Sequence, residues 1–178
     1  MIDSNKTPPW YVITGGPCAG KTTTCNELMR LGHPVLAEPA RLEIETKLAR
    51  GLTIEQIVTD PDWLPSVVRR STAQEKQLTE GEVWFLDRAT PDSVAYYRLG
   101  NTALDDQIQT AMQEIRYRKV FLLDLVDYVT DYARTETPEQ ARALHSAIRT
   151  AYEEQGYEIV TVPIMPVLDR VQYILARL

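Results

Sequence analysis

The stretch that most constrains this sequence runs from Val12 to Thr23 and reads V-I-T-G-G-P-C-A-G-K-T-T. An apolar strand pattern leads into G-x-x-x-x-G-K-T, and a helical pattern follows it. This combination is typical of a phosphate-binding P-loop, in which glycines let the backbone bend so that its N–H groups converge on a polyphosphate. A glycine-rich turn that binds nothing is the alternative, but every fixed position and both flanks agree with the motif.

We therefore predict that the loop and the first helical turn contact a nucleotide. Lys21 supplies a mobile positive charge for the outer phosphates, and the helix that begins near it adds the positive end of its dipole. The Thr22 hydroxyl suits Mg²⁺, a hard cation that prefers oxygen ligands. The predicted nucleotide-binding residues in this stretch are Gly15, Gly16, Pro17, Cys18, Ala19, Gly20, Lys21, Thr22 and Thr23.

Length, charge and cysteine content narrow the class of protein. The 178 residues suit one domain spanning 1–178, and the net charge of −6 argues against a general nucleic-acid binder. Cys18 and Cys25 form neither a metal-ligand pattern nor a disulfide framework, which favours a reducing compartment. Residues 1–10 have no apolar signal core, and no apolar run approaches the ~20 residues that cross a bilayer. We expect a soluble, cytoplasmic protein, and an oligomer is left open.

Five short apolar segments alternate with helical patterns, which is typical of a mostly parallel sheet covered by helices on both faces. The predicted strands are Trp10–Thr14, Val35–Ala37, Val83–Leu86, Val120–Leu123 and Glu158–Val162. We predict that residues 52–80 form a helical segment on the substrate side of the sheet, with one helix over Ser66–Leu78. A further helix, capped by Thr90, follows the third strand. Ligands of such sheets bind beyond the carboxyl ends of the strands, where Glu38, Asp87, Asp124 and Pro163 also lie.

Asp87 ends the third apolar segment and fits the second magnesium-organising group of a P-loop enzyme. The alternative is a carboxylate that caps the next helix. The following residue is Arg88, where motor and remodelling ATPases usually have a glutamate that polarises water. This difference argues against fast hydrolysis and for transfer to a bound acceptor.

Glu38 follows the second apolar segment, in the run E-P-A-R that ends at Arg41. A carboxylate at this place could take a proton from an acceptor hydroxyl or hold that hydroxyl in line for attack. Arg41 could bind a substrate phosphate. A structural Glu38–Arg41 salt bridge is an equally good interpretation of the pair.

Two weaker candidates complete the predicted site. Arg134 lies in a polar loop over 127–137, which could close as a lid and bring its positive charge to the transferred phosphoryl group. Surface pairing with Asp131 or Glu136 is the alternative for this arginine. Gln74 could read an amide or base edge of the substrate, although exposed glutamines are common. His33 and His145 stand alone and are interpreted as structural or solvent-facing.

These motifs in their order resemble small AAA-domain-like P-loop proteins, whose relatives include the nicotinamide riboside kinase domain of bacterial NAD regulators. The resemblance rests on the P-loop, E-P-A-R at 38–41, D-R at 87–88, D-Y-A-R at 131–134, G-Y-E at 156–158, V-P at 162–163 and R-V at 170–171. More broadly, the chain looks like the nucleoside and nucleotide kinases. The resemblance implies a sheet order of 2-3-1-4-5, a lid after the fourth strand and an adenine pocket near Pro163. It also implies that Arg88 and Arg134 contact phosphates and that Glu38 and Arg41 face the acceptor.

The sequence therefore predicts a P-loop phosphotransferase that uses ATP and Mg²⁺ and phosphorylates a small hydroxyl acceptor, best interpreted as nucleoside-like. Lys21, Glu38, Asp87, Arg88 and Arg134 are its predicted catalytic residues. A nucleotide-binding switch that hydrolyses slowly and signals to a protein partner is the alternative hypothesis. A ring-forming remodelling ATPase fits poorly because the chain is too short for the usual helical lid domain.

Overall fold

The computed structural model describes residues 7–114, 116–126 and 137–178, which form a helix–sheet–helix sandwich. The strands are β1 (Trp10–Thr14), β2 (Val35–Leu36), β3 (Trp84–Asp87), β4 (Lys119–Leu123) and β5 (Ile159–Val162). The helices are α1 (Lys21–Arg30), α2 (Pro39–Ala49), α3 (Ile54–Val58), α4 (Trp63–Glu75), α5 (Thr90–Leu99), α6 (Asp106–Glu114), α7 (Pro138–Glu154) and α8 (Val167–Leu175).

The five strands form one parallel sheet in the order β2-β3-β1-β4-β5, which confirms the order that the resemblance implied. Central strand β1 pairs with β3 on one side and with β4 on the other. Ile13 lies opposite Asp87, and Leu36 lies opposite Leu86. This register brings the residues that follow β1, β2 and β3 to the same edge of the sheet.

Alternation along β1 explains why both faces of the sheet carry a core. Trp10 and Val12 point to one face, where they pack with buried residues of α5 and α7 such as Ala95 and Ile148. Tyr11 and Ile13 point to the other face, beneath α1 and α8. A strand with both sets of side chains buried reads as a continuous apolar run, and this is the pattern the sequence has.

Two details of the helices differ from the sequence-based predictions. Helix α4 begins at Trp63 and ends at Glu75, so the predicted range Ser66–Leu78 is wrong at both ends. Proline at position 65 is compatible with this start because backbone N–H groups in a first helical turn have no partner within the helix. The N-cap of α5 is Ala89 rather than Thr90, whose hydroxyl is engaged with Glu75 on α4. Within the described residues, no helix is both long and apolar enough to span a membrane.

Candidate active site

The P-loop between β1 and α1 has the backbone geometry that its glycines predict. Gly15 has a φ of +142°, and a Cβ built on it would lie 2.7 Å from the Leu123 carbonyl oxygen on β4. Gly20 has a φ of +80° just before α1, a conformation that L side chains adopt with strain. Any larger residue at these two positions would therefore distort the loop or separate it from the sheet.

Lys21 is buried at the start of α1, and its Nζ donates a hydrogen bond of 2.8 Å to the Gly16 carbonyl. Burial and, to a smaller extent, the nearby Arg88 guanidinium lower the pKa of Lys21 to about 8, although Glu38, Asp87 and Asp92 oppose the shift. A bound polyphosphate would stabilise the charged form of this buried lysine, because its negative charge would lie next to a cation that burial has removed from water.

Thr22 and Asp87 meet at the ends of the loop and of β3. The Thr22 hydroxyl donates to Asp87 Oδ2 at 3.4 Å, while Asp87 Oδ1 is buried and has no hydrogen-bond partner among the described residues. Burial and the neighbouring Glu38 carboxylate together raise the pKa of Asp87 to about 6, although Lys21, Arg88 and Thr22 oppose the shift. A hydroxyl beside a buried carboxylate oxygen without a partner is a donor set that fits Mg²⁺ or its bound waters.

Arg88 follows β3 in a left-handed backbone conformation, with a φ of +68°. Its backbone N–H donates to the Ile13 carbonyl at 3.1 Å, which extends the pairing of β3 with β1 and turns the side chain inward. The guanidinium Nε donates to Glu38 Oε1 at 3.0 Å. Such strained residues cluster at functional sites, and here the strain aims a buried cation at the carboxylate that follows β2.

Arg41 lies beside the same carboxylate but contributes less to it. Its Nε is 3.8 Å from Glu38 Oε2, and its side chain is 60% exposed. The ion pair that fixes Glu38 is therefore the one with Arg88, which is almost fully buried, rather than the Glu38–Arg41 pair considered from the sequence.

A cavity of about 220 Å³ opens beside Glu38 and Arg88. Its polar end also contains Asp92, and its apolar wall includes Trp63, Val67 and Tyr96. The wall residues come from α4 and α5, so the segment 52–80 does contribute to this cavity. A pocket with an apolar wall and a few charged groups at one end is the usual form of a small-molecule site.

Three residues for which the sequence predicted no catalytic or binding role hold the site together. Asp92 on α5 accepts hydrogen bonds from Thr14, Arg88, Ala89 and Tyr152. The sequence pointed to Thr90 as the cap of α5, so the hydrogen bond from the Ala89 N–H to Asp92 was not predicted.

The other two of these residues, His145 and Arg170, lie outside the motif and support the P-loop. His145 Nδ1 on α7 accepts the Gly16 N–H at 3.2 Å, and burial, together with nearby Arg149, lowers the pKa of this histidine. Arg170 on α8 lies against the loop, and its Nη1 donates to the Gly20 carbonyl at 3.3 Å and to Thr24 Oγ1 at 3.2 Å. Neither contact follows from a local pattern, because each joins residues more than a hundred positions apart.

Several predicted residues lie away from this centre. Gln74 Nε2 donates to the Ala37 carbonyl at 3.4 Å, and Gln74 is not part of the cavity lining. Pro163 and Thr23 are exposed, the first after β5 and the second in the first turn of α1. Arg134 and the predicted lid at 127–137 fall almost entirely outside the described residues, and their roles stay predictions.

The parallel 2-3-1-4-5 sheet, the loop between β1 and α1 and the aspartate at the end of β3 define a P-loop nucleotide-binding protein. The profile of a protein family described as AAA domain matches residues 10–170. The match covers most of the chain, which therefore belongs to this family. A search of curated proteins returned no match.

Solved structures share this fold. A NadR protein in complex with NAD and AMP-PNP has a TM-score of 0.68 at 15% identity, over 96% of this chain and 50% of that one. Thymidylate kinase from Ehrlichia chaffeensis has a TM-score of 0.67 at 11% identity, over 96% and 98% of the two chains. Deoxyadenosine kinase from M. mycoides has a TM-score of 0.64 at 16% identity, over 94% and 97%.

The chain spans about half the length of the NadR chains that it matches. At these identities the likeness concerns the fold. It confirms the resemblance to the P-loop nucleoside and nucleotide kinases that the sequence motifs indicated.

Proposed function

We propose that this chain is an ATP-dependent, Mg²⁺-requiring phosphotransferase that phosphorylates a hydroxyl group of a nucleoside-like acceptor. The observation that carries the proposal is the cavity beside the P-loop, whose polar end is formed by Glu38, Arg88 and Asp92. A protein that only hydrolyses ATP needs a place for water, whereas a kinase needs a separate, shaped place for an acceptor next to the phosphates. The chain shares its fold with a NadR protein in complex with NAD and AMP-PNP and with two nucleoside or nucleotide kinases, which supports the assignment to the phosphotransferases.

On the nucleotide side, Lys21 and the loop N–H groups would neutralise the outer phosphates of ATP. Thr22 and Asp87 would hold Mg²⁺, and the ion would supply positive charge to the phosphate oxygens. Thr23 and Pro163, which are exposed, would contact the nucleotide from the solvent side.

On the acceptor side, the hydroxyl oxygen would attack the γ-phosphorus, the bond to the β-phosphate oxygen would break and ADP would leave. The proton of the hydroxyl would pass to the Glu38 carboxylate, which lines the cavity. Arg88 would balance the negative charge that develops on the transferred group, with Arg134 proposed for the same task. Arg41 at the rim would contact the acceptor from the solvent side, and Gln74 would support strand-end residue Ala37.

Charge favours a nucleoside over a nucleotide as the acceptor. The charged side chains that line the cavity, within the described residues, are the acidic Glu38 and Asp92 and the basic Arg88. The single guanidinium is already paired with both carboxylates, at 3.0 Å and 2.9 Å. An acceptor that carried its own phosphate would enter a site with excess negative charge, which costs free energy unless further cations are supplied.

A thermal-shift screen tests the proposal. Folded protein is mixed with Mg²⁺, a non-hydrolysable ATP analogue and single members of a panel of nucleosides, nucleoside monophosphates and vitamins. Because a ligand that binds the native state raises Tm by mass action, an acceptor should raise Tm beyond the analogue alone. Hits are then incubated with ATP, and the phosphorylated product is identified by mass spectrometry.

Lys21→Ala tests the nucleotide side, and Lys76→Ala is its matched control. Lys76 lies on the surface of the protein in an ion pair with Glu114. We expect the first variant to lose product formation and the second to keep it. A protein that binds nucleotide tightly, binds no second small ligand and changes its protease sensitivity with nucleotide would instead be a switch, and the kinase proposal would be wrong.

A further inference from the structure

Asp92 is the most heavily engaged side chain near the proposed acceptor cavity. It is 3% exposed, and its two oxygens receive four donors from separate parts of the chain. Oδ1 accepts from the Thr14 hydroxyl at 2.5 Å and from Arg88 Nη1 at 2.9 Å. Oδ2 accepts from the Ala89 N–H at 3.1 Å and from the Tyr152 hydroxyl at 2.6 Å.

These contacts fix the direction of the carboxylate. Thr14 ends β1 immediately before the P-loop, and Tyr152 is a fully buried residue of α7. The Ala89 N–H lies at the start of α5, where the helix dipole also favours a negative side chain. Oδ1 is therefore held toward Arg88 by groups that belong to the sheet and to two helices, and it cannot turn away without breaking several hydrogen bonds.

Arg88 is shared between two carboxylates that differ in freedom. Glu38 touches Nε from the loop after β2, has a side chain that is 19% exposed and is itself contacted by exposed Arg41. Asp92 touches Nη1 and is buried. Within the described part of the chain, the side-chain hydrogen-bond partners of the guanidinium are thus these two carboxylates. Glu38 is thus the partner that can leave, and Asp92 is the partner that stays.

We propose that Asp92 is a positioning residue that keeps the Arg88 guanidinium in place while Glu38 turns from Arg88 to the hydroxyl of the acceptor. This inference rests on the proposed function, in which Glu38 must be released before it can accept a proton. Without Asp92, Arg88 would stay paired with Glu38 alone and would move with it. Both groups would then leave their places beside the reacting atoms. The hydrogen bond from Thr14 to Asp92 connects Arg88, through Asp92, to the strand that leads into the P-loop. The arginine and the phosphate-binding loop are therefore held by the same strand.

The test compares Asp92→Asn with Tyr152→Phe. In Asp92→Asn, an N–H₂ group replaces one of the two oxygens that accept hydrogen bonds. Tyr152→Phe removes one donor to Oδ2 and leaves the contact of Asp92 with Arg88. We expect Asp92→Asn to lower kcat about 10- to 100-fold with KM for ATP within about twofold, since small misplacements of catalytic groups have effects of this size. Tyr152→Phe should lower Tm and leave kcat within about twofold.

A second measurement separates positioning from loss of structure. In the Arg88→Ala background, Asp92→Asn should have little further effect on kcat, because its action passes through the missing arginine. Effects that multiply would overturn the proposal, as would a wild-type kcat in Asp92→Asn. If Asp92→Asn does not fold, a crystal structure of the wild type with AMP-PNP and the acceptor decides. It should retain the Asp92–Arg88 contact with Glu38 turned away, and retention of the Glu38–Arg88 contact instead would refute the proposal.

Failure of the proposed function gives a different result. A protein that is not a kinase would form no phosphorylated product in the wild type, whatever the state of Asp92. The Nη1–H signal of Arg88 in ¹⁵N NMR, which comes from the group that donates to Asp92, is independent of turnover. It should be protected from exchange in the wild type and in Tyr152→Phe and lose that protection in Asp92→Asn, and equal protection in all three would refute the positioning role.

Discussion

The nucleotide half and the acceptor half of the site lie side by side but are built in different ways. In the nucleotide half, the motif makes its own contact locally, from Lys21 Nζ to the Gly16 carbonyl five residues away, and His145 and Arg170 support the loop from outside the motif. In the acceptor half, the contact of Arg88 with Glu38 spans 50 residues and that of Tyr152 with Asp92 spans 60. One half is therefore built around a short motif, and the other depends on packing between separate elements.

This difference has a consequence for how substitutions act. Loss of the Lys21 side chain alters the charge at the phosphates and leaves the rest of the sandwich intact. A change in the acceptor half alters a network in which each group has several partners, so its effects on turnover and on stability are coupled.

The largest effect should come from Lys21→Ala. We expect it to weaken nucleotide binding or turnover by more than about 100-fold, because no other group of the loop supplies a mobile charge to the outer phosphates. The fold should persist, since burial already lowers the pKa of this lysine to about 8 and its charge is held at a cost. Calorimetry with an ATP analogue and circular dichroism measure the two parts. An unfolded variant with unchanged affinity in its folded fraction would show that the nucleotide half is assigned to the wrong residues.

Glu38→Gln tests the acceptor half in the same way. We expect kcat to fall by about 100-fold, the size typical of a lost general base, while the affinity for the ATP analogue stays unchanged. The amide keeps an oxygen for Arg88 Nε, so the cavity should keep its shape. Steady-state kinetics with the acceptor found in the screen measures kcat. Loss of nucleotide affinity instead of kcat would show that the two halves are not separable at this residue.

Asp87→Asn should act at the border between the halves. We expect the dependence of turnover on Mg²⁺ to weaken strongly, with a smaller effect, about tenfold or less, on nucleotide affinity. The reason is that the amide replaces a buried carboxylate whose Oδ1 has no partner among the described residues. Titration of Mg²⁺ at fixed ATP measures the effect. An unchanged magnesium requirement would remove Asp87 from the proposed metal site.

The smallest effect should be the pH dependence of the contact between His145 and the P-loop. Burial lowers the pKa of His145, so the unfolded chain takes up the proton first as the pH falls. The folded state therefore loses stability below the unfolded pKa of about 6.5, and protonation removes the acceptor of the Gly16 N–H. His145→Ala should be less stable than its parent at pH 7.5 by about 1 kcal/mol, and this difference should shrink toward pH 5.

Denaturant unfolding in a His33→Ala background measures this difference with His145 as the remaining histidine. A gap between parent and variant that stays constant or widens on acidification would contradict the expected direction.

Much of the fold could be predicted from the sequence because its signals are local. The apolar runs gave all five strands within about two residues, and the P-loop placed β1 and α1. The start of α4 was missed because Pro65 looked like a break, although a first turn tolerates proline. Thr90 looked like a cap, yet its hydroxyl bonds to Glu75, a partner that only tertiary packing brings near.

The site divides in the same manner. That Glu38, Asp87 and Lys21 lie at one edge of the sheet followed from their positions after parallel strands. The partners of these residues did not follow. Asp92, His145 and Arg170 act through contacts between elements far apart in sequence, and no periodicity or motif specifies which distant donor reaches which oxygen.

If the two halves of the site cooperate in phosphoryl transfer, ³¹P NMR of a reaction with ATP, Mg²⁺ and the acceptor will record that transfer. We expect the γ-phosphate signal to disappear as a phosphate monoester signal of the acceptor grows in equal amount, and Glu38→Gln to suppress both changes. Growth of inorganic phosphate alone, with no ester formed from any compound that stabilises the protein, would contradict this expectation.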